Sequence, residues 1–495
     1  MSLLEHLPAL QVVIPFVLVP LVMLLRQPGF AWCATTATSV FVFFNACAMT
    51  VQVLTGEVLD YAMGSWQAPY GIELRVDAFS AILLLIVTAA STMALMGGYR
   101  SLQSQIESSR QPLFFAAWLL VLAGLSGIVV SADAFNIFVF MEISSLASYV
   151  LIAGGPDRAA MPAVFKYLVM GTLGATFYLI GVGLIYMMTG TLNLADMADR
   201  VAAVSDQSPI LVAAGFITVG LALKAAIFPL HAWLPNAYTF APHVVTVFLA
   251  ACATKVSLYV LLRFDFVVFQ PNLDGHALQF SYFLLPLAVL AIVIASVLAV
   301  REKNLKRLLA YSSVAQIGYI MLGASLVTQA GMMASVLHVF NHALAKGTLF
   351  LAVTCLALKV SSLRLDNLAG VARSMPLVMA AFVIGGLSLI GVPGTAGFVS
   401  KWYLLGAVLG EGLLGIGLVV VIVLGSLMAV VYIWRVIELA YFSSADSPNA
   451  TREVPMALVL VTCLAAAANI YFGLATQLPT ALADAAAQGL VSAVP

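Results

Sequence analysis

A lysine lies inside an apolar stretch that three prolines interrupt. The segment GLALKAAIFPLHAWLPNAYTFAPH (220–243) carries Lys224 and then Pro229, Pro235 and Pro242. Proline removes a backbone donor and clashes with the preceding turn, so the sequence predicts a helix that breaks at Pro229. In a membrane the freed carbonyls need partners in protein or in a water-filled cavity. A lysine that snorkels from a helix end is the alternative, but apolar residues on both sides of Lys224 favour a functional site.

A second apolar stretch is broken in a similar way. LSLIGVPGTAGFVSKWYLL (387–405) is interrupted at Pro393 and Gly394 and carries Lys401. Two broken helices, each with a lysine and five predicted spans apart, indicate an internal duplication. Because five is an odd number of crossings, we expect the two copies to be inverted relative to each other.

Two histidines and a lysine share one face of another apolar helix. HVFNHALAKG places His338, His342 and Lys346 at positions i, i+4 and i+8. Histidine titrates near neutral pH, so paired imidazoles can pass protons. Zinc binding is disfavoured because no Glu or third His is close in sequence and an ammonium would repel the ion. A structural hydrogen-bonding role remains an alternative.

Glu142, in FNIFVFMEISSLASY, is the acid best placed to pair with Lys224. Burial disfavours the charged form of a lone lysine, whereas a carboxylate a few ångströms away favours it. The pair would then titrate as one unit and act as a two-state switch, although a static ion pair is the alternative. We therefore predict a proton-transfer series that crosses several helices. Its members are Glu142, Lys224, Lys255, His338, His342 and Lys401, with Lys166, His231 and Lys346 as auxiliary residues.

Composition places the chain among polytopic membrane proteins. Of its 495 residues 63% are hydrophobic and 8% charged, and apolar segments recur from end to end. Zero net charge suggests no nucleic-acid partner, and five scattered cysteines predict neither disulfides, metal ligands nor an iron–sulfur cluster, so no cofactor is expected. We predict about fourteen spans in an all-α fold. The predicted segments are an N-terminal three-helix unit (1–110), a first repeat (111–266), a second repeat (267–441) and a C-terminal helix with a tail (442–495).

The positive-inside rule predicts the orientation. With both termini outside, few positive charges fall in outside loops, namely Arg75, Arg200 and Arg263. The inside loops then carry Arg26, Arg100, Arg110, Arg158, Arg301, Lys303, Lys306, Arg307, Lys359, Arg364, Arg373 and Arg452. We therefore predict a multi-pass protein of a bacterial plasma membrane with both termini outside.

Several motifs carry a family resemblance. These are FVFMEISSLASYVLI, TGTLNLADMA, KAAIFPLHAWLPNAYTFAPHVVTVFLAACATKVSLYVLLR, RLLAYSSVAQIGYIMLG, HVFNHALAKGTLFL and LSLIGVPGTAGFVSKW. From about residue 75 to 440 the chain resembles the antiporter-like subunits of complex I, membrane-bound hydrogenases and Mrp-type cation/proton antiporters. Among these it looks most similar to the D-type subunit of Mrp antiporters.

The resemblance implies a fold and a set of functional residues. The fold has fourteen helices with two inverted five-helix repeats. The functional positions correspond to Glu142, Lys224, Lys255, His338 with His342, and Lys401. The chain departs from the family pattern at Asn236 in WLPNAY and at His243 after Pro242, so half-channel access and cation preference are the properties that these two positions put in question.

Two functions follow from the resemblance. The main one is a proton-translocating subunit of a multi-subunit Na+(Li+)/H+ antiporter of the Mrp type, which would serve pH homeostasis together with its partner subunits. The alternative is a proton-pumping membrane subunit of a complex I-like NADH:quinone oxidoreductase or a membrane-bound hydrogenase. In both, this chain is an ion-translocating subunit and not itself a catalyst of covalent chemistry. The transported cation and the direction of proton flow are not fixed by the sequence.

Overall fold

The structure, a computed structural model, describes residues 3–204, 206–269, 276–443 and 453–491. Helices dominate these residues. They are α1 Leu7–Leu25, α2 Pro28–Leu54, α3 Ala78–Gln105, α4 Gln111–Val130, α5 Ala134–Ala153, α6 Ala160–Thr189, α7 Leu194–Ala203, α8 Ser208–Lys224, α9 Leu234–Phe240, α10 His243–Arg263, α11 His276–Arg301, α12 Leu305–Ser325, α13 Gln329–Lys359, α14 Val371–Ser374, α15 Pro376–Ile390, α16 Ala396–Leu409, α17 Gly412–Phe442, α18 Met456–Leu474 and α19 Gln477–Val491.

The predicted number of crossings is confirmed. Within the described residues, twelve helices are long and apolar enough to span a membrane. Two further crossings are the broken helices, α8 followed by α9 and α15 followed by α16. Helices that pack in one predicted repeat have counterparts that pack in the other: α4–α5, α5–α6 and α6–α8 match α11–α12, α12–α13 and α13–α15. The boundaries of the repeats remain a prediction.

Two of the connections between long helices contain regular elements, and the predicted tail is ordered as well. The connection between α2 and α3 contains an antiparallel hairpin of β1 Leu59–Ala62 and β2 Glu73–Val76. The connection between α6 and α8 contains α7, whose first amides are capped by the Asn193 side chain. The predicted tail forms α19, which buries small apolar side chains such as Leu482 and Ala486. Arg452, predicted in an inside loop, lies outside the described residues.

The two ends of the bundle differ in charge and in structure. At the end that we call the hairpin end, the start of α3 meets the end of α10, and Asp77 accepts a hydrogen bond from Arg263. At the opposite end, which we call the basic end, the backbone N–H of His243 donates to Gln105 Oε1 at 3.1 Å. His6, next to α1, contacts Tyr61 of the hairpin at 3.2 Å, and α19 also lies at the hairpin end, beside Asp77 and Arg263.

Asp77 ties the hairpin end together electrostatically. Burial opposes its ionisation, but the charge of Arg263, the hydrogen bond from Arg263 and the Ser80 amide together lower the pKa of Asp77 below its usual value. Asp77 also caps the first turn of α3 through the Ser80 amide at 3.0 Å. The ion pair therefore fixes the start of α3 against the end of α10, the helix that carries Lys255.

Candidate proton-transfer site

Glu142 and Lys224 form an ion pair near the middle of the membrane-spanning bundle. The Lys224 ammonium lies 3.2 Å from Glu142 Oε1 and donates a second hydrogen bond to Ser145 Oγ at 2.7 Å. The lysine side chain is 5% exposed and the glutamate side chain 25% exposed. Glu142 and Ser145 lie on one face of α5 at i and i+3, so this helix supplies both partners of the ammonium.

The break after α8 positions Lys224. Lys224 is the last residue of α8, where the negative end of the helix dipole stabilises a cation. The carbonyl of Leu223, in the last turn of α8, accepts a long hydrogen bond from the Ala226 N–H at 3.3 Å and a shorter one from Trp233 Nε1 at 2.9 Å. Gly174 and Gly220 let α6 and α8 pack closely, since a Cβ on Gly174 would lie 2.8 Å from the Gly220 carbonyl oxygen.

Lys255 lies between the first broken helix and the histidines. It is fully buried in α10, and its ammonium donates to the Ala250 carbonyl. α10 packs against both α8 and α13. The electrostatic influence of Lys255 extends to His338, His342 and Lys346 on α13. Lys255 therefore lies between the first broken helix and the ionisable groups of α13, which it influences electrostatically.

His338 and His342 stack one above the other on α13, as their spacing predicts. Their ring centroids are 6.2 Å apart and the rings are nearly parallel, at 14°. His338 Nδ1 lies 2.8 Å from Ser400 Oγ, and its Nε2 lies 2.9 Å from Gln316 Oε1. Both nitrogens of His338 are thus already engaged, which further disfavours metal binding. Both nitrogens of His342 are buried without a hydrogen-bond partner among the described residues, so they keep their capacity to exchange protons.

The two remaining lysines of the series are buried and held mainly by oxygen atoms of uncharged groups. Lys401 donates to the carbonyls of Leu389 and Ile390 at 3.1 and 2.9 Å and to Ser426 Oγ at 3.0 Å. These carbonyls end α15, so the lysine satisfies the break. Its ammonium also lies 4.5 Å from the ring centre of Tyr319.

Lys346, predicted as an auxiliary residue, lies in the middle of α13. It is fully buried, and its ammonium donates to the Leu309 carbonyl at 2.8 Å and to Ser312 Oγ. Its position is therefore not that of a lysine that snorkels from a helix end. Its auxiliary role in proton transfer remains a prediction.

Lys166 and His231 lie apart from this buried series. Lys166 is exposed on α6. His231 lies in the break between α8 and α9, where its ring stacks on Phe228 with centroids 5.3 Å apart. His231 is electrostatically influenced by Lys166. The structure thus brings these two predicted auxiliary residues near each other, and neither is fully buried.

Several buried polar residues near the series were not predicted from the sequence. Lys306 was assigned to an inside loop, yet it lies in the first turn of α12 and is only 2% exposed. Gln316 and Ser400, the partners of His338, were not singled out either. Their signal in the sequence was weak: α12 reads LKRLLAYSSVAQIGYIMLGAS, in which Lys306, Ser312, Ser313 and Gln316 recur at helical spacing.

Comparison with known proteins gives the family. The protein-family model described as "NADH:quinone oxidoreductase/Mrp antiporter, TM" matches residues 131–429. The chain belongs to this family. The resemblance found in the sequence is thereby confirmed, and the chain is a multi-pass membrane subunit of the antiporter-like class that Mrp antiporters and NADH:quinone oxidoreductases share.

Individual relatives come from both branches of the family. The chain is 40% identical over 457 residues to the N-type subunit of NADH-quinone oxidoreductase of Desulforudis audaxviator, covering 91% of this chain and 89% of the relative. It is 27% identical over 460 residues to the D-type subunit of the Na(+)/H(+) antiporter of Bacillus subtilis, covering 92% and 91%. From the sequence we expected the chain to be most similar to D-type subunits. Its sequence identity to this D-type subunit is instead lower than its identity to the N-type subunit.

Similar chains in solved structures also come from both kinds of complex. One chain of the archaeal membrane-bound sulfane sulfur reductase superposes with a TM-score of 0.89 at 31% identity, covering 99% of this chain and 100% of that one. One chain of the Mrp complex from Dietzia sp. superposes with a TM-score of 0.88 at 26% identity, with full coverage of both. The fold is thus common to antiporter and respiratory complexes.

The ion pair yields a test of stability. Glu142→Gln leaves the Lys224 charge buried with only the Ser145 hydroxyl, and breaking a buried pair in this way costs about 3 kcal/mol. We expect a lower midpoint of thermal unfolding for the purified assembly. Ser145→Ala, which keeps the ion pair but removes one hydrogen bond to the ammonium, should cost less, about 1.5 kcal/mol. The double variant Glu142→Gln, Lys224→Met removes both charges and should be more stable than Glu142→Gln alone; a double variant that is no more stable would contradict the pairing.

Proposed function

We propose that the chain is the proton-conducting membrane subunit of a redox-driven respiratory complex. The observation that carries the proton role is the buried series that begins at the Glu142–Lys224 ion pair and ends at Lys401. Charged groups in a membrane interior are costly and usually lie on a transport path. The 40% identical N-type subunit and the 31% identical chain of the sulfane sulfur reductase support the redox-driven branch.

The first step is the opening of the Glu142–Lys224 pair. While the pair is closed, the carboxylate stabilises the protonated lysine. When the pair opens, the buried ammonium loses that support, and the N–H proton leaves Lys224 for neutral Lys255. A conformational change in a partner subunit would move Glu142 or the break after α8 and so drive the opening.

The later steps carry the proton across the second unit of the chain. Lys255 passes a proton to a ring nitrogen of His342 that has no hydrogen-bond partner among the described residues. The stacked ring of His338 receives the proton next, and Lys401 accepts it from His338. The carbonyls at the end of α15 and the face of Tyr319 stabilise the charged form of Lys401. In this scheme residues 111–266 form the unit that loads the proton and residues 267–441 the unit that releases it.

Partner subunits are part of this proposal. The Glu142 side chain is 25% exposed at the middle of α5, and Leu146 and Val150, which follow it at i+4 and i+8, are 51% and 45% exposed. A carboxylate is not stable against lipid tails. We therefore infer that a neighbouring subunit of a hetero-oligomeric complex covers this face of α5.

A subunit of a Mrp-type Na+(Li+)/H+ antiporter is the second candidate. It is favoured by the full-length superposition on a chain of the Mrp complex and by the D-type antiporter relatives at 27–30% identity. In that case the same series carries protons inward, and the cation crosses in a partner subunit. The two candidates share the mechanism of this chain and differ in what drives it.

A vesicle experiment separates the candidates. Inverted membrane vesicles would carry the whole complex, with either wild-type chain or Lys224→Met, and internal pH would be followed with a fluorescent dye. The proposal predicts that NADH or reduced methyl viologen acidifies the wild-type vesicles and that Lys224→Met abolishes this acidification. Collapse of a preformed pH gradient by Na+ or Li+ without a donor, lost in Lys224→Met, would favour the antiporter. An unchanged response in Lys224→Met would contradict proton conduction through this lysine.

We also propose that the chain lies in a bacterial plasma membrane with the hairpin end outside. The support is the cluster of Lys and Arg at the basic end, which includes Arg301, Lys303 and Lys359. The start of α1 and α19 both lie at the hairpin end, so both termini would be outside.

Cysteine labelling tests this orientation. Ser65→Cys lies in the exposed hairpin connection and Ser108→Cys in the exposed connection between α3 and α4 at the basic end. A membrane-impermeant maleimide added to intact cells should label the first variant and should label the second only after the cells are opened. The opposite labelling pattern would show that the orientation is reversed.

A further inference from the structure

A buried tyrosine contacts two members of the proposed series at once. Tyr319 lies on α12 and is 1% exposed. The Lys401 ammonium lies over its ring, 4.5 Å from the ring centre, and the ring of His338 meets it edge to face with centroids 5.7 Å apart. In the proposed series His338 gives up the last proton and Lys401 receives it. Tyr319 therefore contacts both the donor and the acceptor of that transfer.

A short stretch of α17 anchors the hydroxyl of Tyr319. This hydroxyl donates a hydrogen bond to the Ile422 carbonyl at 3.2 Å. A Cβ on Gly425 would lie 2.3 Å from the hydroxyl oxygen, so a glycine is needed for the phenol to reach α17 at this point. Ser426, the next residue, accepts a hydrogen bond from the Lys401 ammonium at 3.0 Å. The same turn of α17 therefore holds both the tyrosine and the lysine.

The other groups around the Lys401 ammonium make the aromatic ring important. Two carbonyls at the end of α15 and one hydroxyl of α17 accept its hydrogen bonds. From α13, His338 and His342 are the titratable groups that Lys401 influences. No carboxylate acts on Lys401 within the part of the chain that the structure describes. An aromatic face attracts a desolvated cation more strongly than a hydrated one, so the ring of Tyr319 contributes where a counter-charge is missing.

We propose that Tyr319 is a positioning residue for the last proton transfer, and that α17 holds its ring in place against Lys401 through Ile422 and Gly425. This inference rests on the proposed function. In the transfer an N–H bond of the His338 imidazolium breaks and a new N–H bond forms on the neutral Lys401 amine. The ring face stabilises the resulting ammonium, whereas it attracts the neutral amine only weakly. Tyr319 keeps its own hydroxyl proton throughout.

A packing role alone for Tyr319 makes a different prediction. Removal of a large buried side chain leaves a cavity and destabilises the bundle. Such a defect would lower the amount of intact complex and would reduce the rate of proton movement by the same factor at every pH. A role through the ring face instead changes the pH at which Lys401 holds a proton, because the ring stabilises only the charged form.

The test compares Tyr319→Leu, Tyr319→Phe and Gly425→Ala in the vesicles described above. Tyr311→Leu is the control on α12, about 12 Å along the helix from Tyr319. Gly417→Ala is the control on α17, because a Cβ at Gly417 would meet no atom within 4 Å. Proton movement driven by NADH, reduced methyl viologen or the cation would be measured over a series of pH values. The rate would be divided by the amount of intact complex.

We expect the alkaline limb of the pH profile of Tyr319→Leu to move to lower pH by about one unit, as expected for loss of a buried cation–ring contact. The shift is toward lower pH because Lys401 without the ring holds its proton less tightly. Tyr319→Phe keeps the ring and should retain the wild-type profile. Gly425→Ala, which displaces the phenol from α17, should shift the profile in the same direction as Tyr319→Leu. Both control variants should behave as wild type.

Three results would overturn the inference. One is a wild-type profile for Tyr319→Leu, and the second is an equal shift for Tyr319→Phe, which would assign the effect to the hydroxyl. The third is a rate that falls by the same factor at every pH. If Tyr319→Leu does not assemble, Gly425→Ala decides between a shifted and an unshifted profile. If the wild-type complex itself moves no protons, the proposed function fails, and this outcome is distinct from an unshifted profile in a complex that does move them.

Discussion

The structure depends on how buried ammonium groups are stabilised without water. Each buried lysine of the series either pairs with a carboxylate, as Lys224 does, or donates to backbone carbonyls and hydroxyls, as Lys255, Lys346 and Lys401 do. The second broken helix supplies such carbonyls to Lys401 at the end of α15, whereas Lys255 and Lys346 donate to carbonyls of the unbroken helices α10 and α12. At the second break the freed carbonyls and the buried charge therefore satisfy each other. A helix break without a donor and a lysine without an acceptor would both be costly in a lipid environment.

The two broken helices solve this problem in different ways. In the first, Lys224 precedes the break and pairs with Glu142, while Trp233 donates to the carbonyl of Leu223. In the second, Lys401 follows the break and itself satisfies the freed carbonyls of α15. A carboxylate partner can be withdrawn, whereas backbone carbonyls stay in place. In the proposed mechanism, this asymmetry would give the series one end that can switch and one end that holds a proton.

The sequence predicted the features that come from strong local chemistry. Prolines and glycines in apolar runs located both breaks, and apolar length gave fourteen crossings. Charge pairing brought Glu142 and Lys224 together before any geometry was known.

Lys306 was not predicted to be buried because it is surrounded in sequence by Arg301, Lys303 and Arg307. Only tertiary packing separates a buried lysine from such an exposed cluster. The exposure of Lys166 and the central place of Lys346 likewise depend on which helix face meets a neighbour, and low amphipathicity leaves that undetermined in sequence. The hairpin and α19 lie in segments whose polar or small residues gave no clear period.

The central claim is that the buried lysines carry protons and do not merely supply fixed charge. The most direct measurement replaces Lys255, which lies between the two units, with methionine and with arginine and follows proton movement by the assembled complex. Arginine keeps a positive charge but does not release its proton near neutral pH. We expect both variants to assemble and both to lose proton movement. If Lys255→Arg moves protons at the wild-type rate, only the positive charge is needed at this position. If Lys255→Met moves protons at the wild-type rate, the proton path does not pass through Lys255.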